Sequence, residues 1–172
     1  MINVFFIADL HLGHKNIIGY NRPEFNNLEE MHEAIVDRWN AVVRPKDVVY
    51  VLGDVAFGKQ NIHYMAQLNG RKHLVLGNHD TCDIKEYQLY FDHIWGCIGY
   101  KNCILTHIPI HPQQFYRFTV NIHGHVHHED QQLMKDWRYF NVCADHTNLT
   151  PVAWEDIKKE INKHHFGLLT GK

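Results

Sequence analysis

The chain of 172 residues lacks the features that mark several protein classes. No apolar stretch approaches the roughly 20 residues that a membrane-spanning helix needs, and no basic leader precedes the first apolar run. Its four cysteines show no C-x-x-C spacing, which favours free thiols over disulfides or a zinc knuckle. We therefore expect a cytoplasmic protein that makes no membrane contact.

Neither positive nor negative charge is in large excess. The formal net charge is −2 and no block of like charge occurs, so the broad basic surface that binds nucleic-acid phosphates is missing and long nucleic acid is not an expected partner. Repeats, linkers and low-complexity tracts are absent too, and residues 1–172 predict a single domain. Nothing in the sequence indicates the oligomeric state. Histidine, in contrast, is abundant, with 16 residues.

Short apolar runs of strand character alternate with helical periodicities in the first half of the chain. Strands are predicted at 4–8, 48–52 and 73–76, with helices at 28–43 and 60–68 between them. Further on, the pattern predicts a helix at 83–90, strands around 94–98, 103–106, 119–122 and 138–143, and an amphipathic helix at 154–164. The alternation indicates an α/β protein.

Five of the apolar runs end in residues that bind metal ions. These residues are Asp9 and His11, Asp54, Asn78 and His79, His107, and finally His125 and His127. In open α/β sheets, ligands bind beyond the carboxyl ends of the strands, so side chains far apart in sequence meet there. The sequence thus predicts one shared site for these residues.

The spacing within the site favours two metal ions over one. Asp9 and His11 are two residues apart, as are His125 and His127, and such residues on an extended chain point to the same side about 6–7 Å apart. A bridging carboxylate such as Asp54 suits ions about 3.5–4 Å apart, a common arrangement in phosphoryl chemistry. The mixture of imidazole, carboxylate and amide favours Mn, Fe, Co, Ni or Zn over Ca or Mg.

These blocks resemble the motifs of the calcineurin-like metallophosphoesterases, which run D-x-H, G-D, G-N-H-D/E, H and G-H-x-H. All five occur here in order, at 9–11, 53–54, 77–80, 107 and 124–127, and the resemblance spans residues 2 to 127. Five motifs in order at strand ends are highly specific, whereas one alone would carry little weight. The resemblance implies a four-layer αββα sandwich, with two mixed β-sheets flanked by helices.

The resemblance also implies a role for each residue. Asp9, His11, Asp54 and His127 would surround the first ion, and Asp54, Asn78, His107 and His125 the second, with Mn the expected metal. His79 would lie beside the substrate, where it would stabilise the phosphoryl charge or protonate the leaving group, and Asp80 would orient it. Asn78 would help to stabilise the charge on the phosphoryl oxygens. The expected reaction is in-line attack of a metal-bridging hydroxide on phosphorus.

The expected substrate is a small or nucleotide-like phosphodiester, with a cyclic nucleotide as one option. The Asp-Arg-Gly segment of the family's protein phosphatases does not follow Gly53-Asp54, and 172 residues leave no room for the capping domains of its nucleases. A phosphomonoesterase is the first alternative, and a non-catalytic binding scaffold is the second. Retention of His79 argues against the scaffold.

Five residues near these motifs are left open between a role in the site and a structural one. They are His14, Arg22, His111, His123 and His146. Support of a metal-bound imidazole is slightly favoured for His123, because such rings need partners on their second nitrogen. Arg22 would either contact substrate phosphate or lie on the solvated surface.

Overall fold

The computed structural model of the protein describes residues 1–128 and 135–170, with side chains up to residue 164. Its strands are β1 (Val4–Ile7), β2 (Val48–Val51), β3 (Arg71–Val75), β4 (His93–Trp95), β5 (Ile98–Tyr100), β6 (Cys103–Leu105), β7 (Val120–His123), β8 (Tyr139–Asn141) and β9 (Val152–Ala153). The α-helices are α1 (Lys15–Asn21), α2 (Leu28–Val42), α3 (Ile84–Tyr87) and α4 (Trp154–Thr170), and 3-10 helices cover Lys59–Gln67 and Pro112–Gln114.

These strands form two mixed sheets. The first has the order β4-β3-β2-β1-β9, in which only β9 runs antiparallel to its neighbour. The second has the order β5-β6-β7-β8, in which only β5 is antiparallel. The sheets meet where the end of β1 pairs with the segment after β8, since Ala8 N donates to Val142 O at 2.9 Å. The predicted sandwich of two mixed sheets flanked by helices is confirmed.

Two hydrophobic clusters correspond to the layers of this sandwich. The outer cluster packs α2, through Met31, Ile35 and Trp39, against alternate residues of the first sheet such as Ile7. The inner cluster lies between the sheets and includes Phe6, from the opposite face of β1. Alternating residues of one strand thus enter different clusters, as the period of two in a strand requires.

Helix α2 shows how the local sequence sets an element's start. The side chain of Asn27 accepts a hydrogen bond from Glu30 N at 2.9 Å, so it caps the helix. The helix ends at Val42, because Val43 already has extended backbone angles. This places the buried face of α2 against the first sheet.

Several predicted elements differ from those observed. The predicted strand around 94–98 is two strands in different sheets, because β4 ends at Trp95 and β5 begins at Ile98. The helix predicted at 60–68 has 3-10 geometry, and the one predicted at 83–90 is limited to Ile84–Tyr87. Helix α1 and the two-residue strand β9 were not predicted.

The outer face of the second sheet is covered by the segment that follows His107. In that segment Ile110 N donates to the buried Asn121 side chain of β7 at 2.9 Å, and Tyr139 Oη donates to Ile110 O at 2.7 Å. Because Val120 and Ile122 point into the inner cluster, Asn121 occupies the opposite face. This segment therefore begins at the site and then packs on the sheet.

Candidate metal centre

The residues predicted to bind metal lie in loops that follow strands β1, β2, β3, β6 and β7. In chain order they are Asp9, His11, Asp54, Asn78, His107, His125 and His127. Strands β1 to β3 are parallel neighbours, as are β6 and β7, so their carboxyl ends share an edge of the sandwich. The structure brings all seven side chains into one cluster.

Four residues at this edge have an unusual backbone conformation, which directs their side chains into the cluster. Asp9, His11, Asp54 and His125 have φ values of 60°, 50°, 53° and 68°, in the left-handed region that non-glycine residues rarely adopt. Hydrogen bonds from Asp9 N to Gly53 O and from His11 N to Asp54 O, both 3.0 Å, hold the first two loops together. Such conformations persist where the surrounding structure fixes them, typically at functional sites.

The glycines of the motifs allow the loops to approach each other closely. Gly53 has a φ of 88°, and a Cβ atom there would lie 2.6 Å from the Gly77 backbone and from His107 Nδ1. At Gly124 a Cβ atom would overlap Ala8 Cβ and the carboxylate of Asp9. Larger side chains at either position would therefore separate the ligands.

One set of side chains, the first ligand group, consists of Asp9, His11, Asp54 and His127. His11 Nε2 lies 3.2 Å from His127 Nε2, 3.7 Å from Asp54 Oδ2 and 3.9 Å from Asp9 Oδ1. His127 Nε2 is 3.6 Å from the same Asp9 oxygen. These four atoms thus surround one small space.

The second ligand group consists of Asp54, Asn78, His107 and His125. His107 Nε2 lies 2.9 Å from Asn78 Oδ1, 3.2 Å from His125 Nδ1 and 3.4 Å from Asp54 Oδ1. Asp54 therefore presents Oδ2 to the first group and Oδ1 to the second. Its carboxylate thus lies between the two groups.

The first group has the dimensions of a metal site, since ligand atoms of Asp9, His11 and Asp54 lie within 4.8 Å of one another. A tetrahedral ion with bonds of about 2.0–2.1 Å holds its ligand atoms about 3.3–3.4 Å apart. The separations are 3.2–3.9 Å in the first group, and in the second His107 Nε2 lies 2.9–3.4 Å from an atom of each of the other three residues. In addition, Asp9 Oδ1 is buried without a hydrogen-bond partner, which a carboxylate oxygen tolerates when a cation binds it. The buried histidine and aspartate side chains of this cluster can hold metal ions.

Two of the histidines have their second nitrogen occupied, which sets the direction of the free lone pair. His107 Nδ1 donates to Leu52 O at 2.7 Å, and His127 Nδ1 donates to Asp145 Oδ2 at 2.6 Å. With the proton on Nδ1, Nε2 of each ring is a lone pair directed at its group. Asp145 is not among the residues predicted from the sequence.

Burial and charge shift the pKa values of the ligands strongly. Burial alone would raise the pKa of Asp54, but hydrogen bonding and charge from His107 and the hydrogen bond from His79 N hold it at about 2. Burial raises the pKa of Asp9 to about 6 and lowers that of His11 to about 3. Asp54 is therefore ionised and His11 neutral at pH 7, the protonation states that metal ligands require.

His79 lies at the open side of the cluster. Its ring is exposed, with its centroid 5.0 Å from that of Phe57 and 6.0 Å from that of His11. His79 N donates to Asp54 Oδ1 at 2.9 Å, so its backbone supports the Asp54 carboxylate while its side chain stays accessible. Asn78 is exposed as well.

Asp80 has contacts that differ from the expected one. Its carboxylate accepts hydrogen bonds from the backbone N–H groups of Asp54, Val55 and Gly77 at 2.8–2.9 Å, and from Tyr87 Oη at 3.3 Å. These donors take up both oxygens, so the expected contact with the His79 ring is replaced by support of the backbone around Asp54. The sequence offered no signal for this support, because Asp54 and Val55 belong to another loop.

His14 and Phe57 line the same open side. The two rings stack with centroids 4.0 Å apart and an interplanar angle of 10°, and the His14 ring is 5.4 Å from that of His11. The pKa of His14 is lowered, first by burial and then by the neighbouring His79. Of the five residues whose role the sequence leaves open, His14 is therefore the one that lines the site.

The other four residues left open make structural contacts. Arg22 is buried and donates to backbone oxygens, which corrects the expectation of a phosphate contact or a solvated surface. His111 caps the 3-10 helix Pro112–Gln114, and His146 Nε2 donates to Val126 O at 2.8 Å. His123 Nδ1 donates to the carbonyl oxygen of Gly124 rather than supporting a ligand imidazole.

Sequence reasoning missed two residues beside His127. Asp145 follows β8 as the other polar ligands follow their strands, and that position was a usable signal. Cys143 Sγ lies 3.6 Å from His127 Nδ1, and Cys143 forms a compact group with Asp9 and His127. Burial raises the pKa of the Cys143 thiol, which keeps it protonated and a weak ligand.

Comparison with known proteins places the chain among relatives without assigned activity. An uncharacterized protein of Methanocaldococcus jannaschii, MJ1445, is 34% identical over 172 residues, covering 95% of this chain and 93% of its own length. The chain belongs to the family of this archaeal protein. The gene 66 protein of Mycobacterium phage L5 is 29% identical over 163 residues, covering 74% and 78% of the two chains. No family model matches.

A solved structure has a similar fold. A protein of unknown function from Aquifex aeolicus, AQ665, superposes with a TM-score of 0.73 at 30% identity, covering 92% of this chain and 99% of that one. Nearly the whole length of both proteins therefore shares one fold. None of the names of these relatives states a substrate or an activity.

Proposed function

We propose that the chain is a metal-dependent phosphodiesterase that binds two divalent ions, with Mn as the first choice and Fe, Zn, Co or Ni as alternatives. The observation that carries the proposal is the division of Asp54 between two ligand groups, with Oδ2 3.7 Å from His11 and Oδ1 3.4 Å from His107. A single ion would occupy one of these groups and leave the side chains of the other without a metal to bind. Paired ions bridged by a carboxylate are a standard arrangement for phosphoryl transfer.

When bound, such ions would lower the pKa of water and offset negative charge on the phosphoryl group. The two ligating carboxylates, Asp9 and Asp54, contribute −2 against +4, which leaves a local charge of about +2. That local field attracts a phosphate ester although the whole chain carries −2. Substrate binding is therefore governed by the site and not by the net charge.

The chain's own groups complete the proposed chemistry. The exposed ring of His79 is placed to donate a proton to the departing alkoxide or a hydrogen bond to a phosphoryl oxygen. The exposed amide of Asn78 is next to it, with Oδ1 directed at His107 Nε2. Asp80 acts indirectly, since it holds the backbone of Asp54 by hydrogen bonds.

A small phosphodiester is the substrate that we propose. Asn78 and His79 are exposed, and the Phe57 and His14 rings form one wall beside them, which leaves an open site for a compact or nucleotide-like ester. No helix within the described residues 1–128 and 135–170 is long and apolar enough to cross a membrane. Four free cysteines support a reducing compartment such as the cytoplasm for this proposed single-domain enzyme.

The test is turnover of activated esters by metal-stripped protein that has been reloaded with Mn²⁺, Ni²⁺, Co²⁺ or Zn²⁺. We expect hydrolysis of bis-p-nitrophenyl phosphate to exceed that of p-nitrophenyl phosphate, and elemental analysis to give about two ions per chain. A panel of cyclic and linear nucleotide esters then narrows the substrate. Dominance of the monoester would favour a phosphomonoesterase, and full metal content without turnover would favour a binding scaffold.

The role of His79 has its own test. Replacement by Ala should lower kcat about 10²–10⁴-fold with metal content unchanged, because a proton donor is lost but no ligand is. The loss should be larger for an unactivated alkyl ester than for a nitrophenyl ester, whose leaving group needs no proton. Unchanged turnover of both esters by fully loaded His79→Ala protein would contradict the role.

A further inference from the structure

A buried ion pair lies behind the first ligand group. Arg22 directly follows α1 and is 1% exposed, and the Asp145 side chain is 6% exposed. Arg22 Nε donates to Asp145 Oδ1 at 2.6 Å, across 123 residues of sequence. Burying two charges is costly, and such a pair is often no more stabilising than apolar side chains of the same size. Its position therefore calls for an explanation beyond stability.

The remaining nitrogens of Arg22 hold the loop that carries two ligands. Nη2 donates to Asp9 O at 2.6 Å, and Nη1 donates to Leu10 O at 2.9 Å. These carbonyl groups belong to the segment between the side chains of Asp9 and His11. The planar guanidinium presents several donors at fixed angles, which the single ammonium of a lysine cannot reproduce.

The second oxygen of Asp145 holds a third ligand. His127 Nδ1 lies 2.6 Å from Asp145 Oδ2, so the ring keeps its proton on Nδ1 and directs Nε2 at Asp9 and His11. A carboxylate behind a metal-bound imidazole fixes its orientation and increases its basicity. The hydrogen-bonded series Arg22–Asp145–His127 thus joins two distant loops at one ligand group.

The second ligand group has a different support. His107 Nδ1 donates to a backbone oxygen, that of Leu52, at 2.7 Å. Among the described contacts of Asn78 and His125, none involves Arg22 or Asp145. Two residues of the first group link the second group to this ion pair. They are Asp54, which both groups share, and Asp9, whose Oδ2 accepts a hydrogen bond from His125 N at 2.8 Å.

We propose that Arg22 and Asp145 are positioning residues for the first metal ion alone. The inference rests on the proposed two-ion function and adds an asymmetry to it, since one ion has a dedicated charged support and the other does not. A purely structural ion pair would affect the fold and both ions together. Selective loss of one ion is what distinguishes the two roles.

The experiment is a calorimetric Mn²⁺ titration of metal-stripped protein. Asp145→Asn and Arg22→Lys should each weaken one of the two binding events about 10–100-fold, as replacements behind metal ligands typically do, and leave the other within about threefold. Arg71→Gln is the matched control, because Arg71 forms an exposed ion pair with Asp92 at 2.9 Å, away from the site. It should leave both events unchanged.

A second background identifies which ion is affected. Asn78→Ala removes a ligand of the second group, so the tight ion that remains is the first. Adding Asp145→Asn to Asn78→Ala should weaken that ion by the same 10–100-fold factor. Equal weakening of both ions by Asp145→Asn, or no weakening in the Asn78→Ala background, would overturn the proposal.

A double variant separates weaker metal binding from a folding defect. The double variant Arg22→Met/Asp145→Leu removes both charges, so it leaves no unpaired charge in the interior. It should bind the second ion as the unmodified protein does and the first about 10–100-fold more weakly. Two unchanged binding events in this variant would refute the inference. Failure of the unmodified protein to bind any metal would instead refute the proposed function.

Discussion

The two ligand groups share a carboxylate but differ in their surroundings. In the first group Asp9, His11 and Asp54 are 0–3% exposed and His127 is half-buried. In the second group His107 is 3% exposed, His125 is half-buried and Asn78 is exposed. Left-handed backbone occurs in both groups, at Asp9 and His11 in the first and at His125 in the second, but the charged support lies behind His127 of the first group. The first group is therefore the more buried of the two, and the second is open to solvent through Asn78.

This difference shows that two ligand groups of similar composition need not be equivalent. An ion held by buried side chains exchanges slowly with solvent. Those side chains also lose little entropy when the ion binds, since they are already ordered. Exposed ligands such as Asn78 must be ordered by the ion itself. We expect one tightly held ion and one that exchanges with solvent.

The largest effect is expected where the groups meet. Asp54→Asn removes the bridging charge, so both ions should be lost and turnover should fall by at least about 10³-fold. Elemental analysis after dialysis and the rate with saturating Mn²⁺ measure this. Retention of one full equivalent of metal would show that Asp54 does not serve both groups.

A smaller effect should separate the groups directly. After brief exposure to a chelator the unmodified protein should keep about one ion, because the first group is buried. His11→Ala should lose that ion, and Asn78→Ala should keep it. If Asn78→Ala released both ions while His11→Ala kept one, the proposed order of affinities would be reversed.

Asp80→Asn is expected to act on both groups at once through the backbone. The amide retains one acceptor and turns a donor toward the N–H groups that Asp80 now satisfies, which should cost about 1–3 kcal/mol for each lost acceptor. Urea unfolding without metal gives the loss in stability.

The control for Asp80 is Asp92→Asn, which breaks an exposed ion pair with Arg71 and should cost less than about 1 kcal/mol. Asp80→Asn should also weaken both Mn²⁺ binding events by a similar factor. Weakening of one event alone would mean that Asp80 acts on a single ligand and not on the shared loop.

The smallest effect lies outside both groups, at His32. Gly13 N donates to His32 Nε2 at 2.9 Å, and burial, followed by the charge of His63, lowers the pKa of His32. A depressed pKa means that the unfolded chain binds a proton more readily, so stability falls as pH drops below about 6.5. This term can contribute at most about 1.4 kcal/mol per pH unit.

Unfolding of metal-free protein in urea at pH 7.5 and 5.5 measures that slope. His32→Gln should make the difference between the two pH values smaller, because the titrating group is gone. His111→Gln, at an exposed position, should leave the difference unchanged. An unaltered slope in His32→Gln would assign the acid sensitivity to other histidines.

Much of the fold was predictable because its signals are local. Apolar runs such as 48–52 identify strands, and Asn27 identifies a helix start, since both depend on neighbours along the chain. Helix α1 was missed because its seven residues bury only Ile17 and lack a side-chain cap. The run around 94–98 was read as one strand because nothing local shows that its two halves join different sheets.

For the site, ligand types and strand-end positions followed from the amino-acid sequence, because metal chemistry limits the side chains and parallel strands align their ends. The contacts of Arg22, Asp80 and Asp145 did not follow from it. Each depends on which loop lies opposite, and the partner of Arg22 is 123 residues away. Charge, burial and hydrogen bonding at such distances arise only when the sheets pack, so folding alone makes Arg22 a buried support instead of a surface residue.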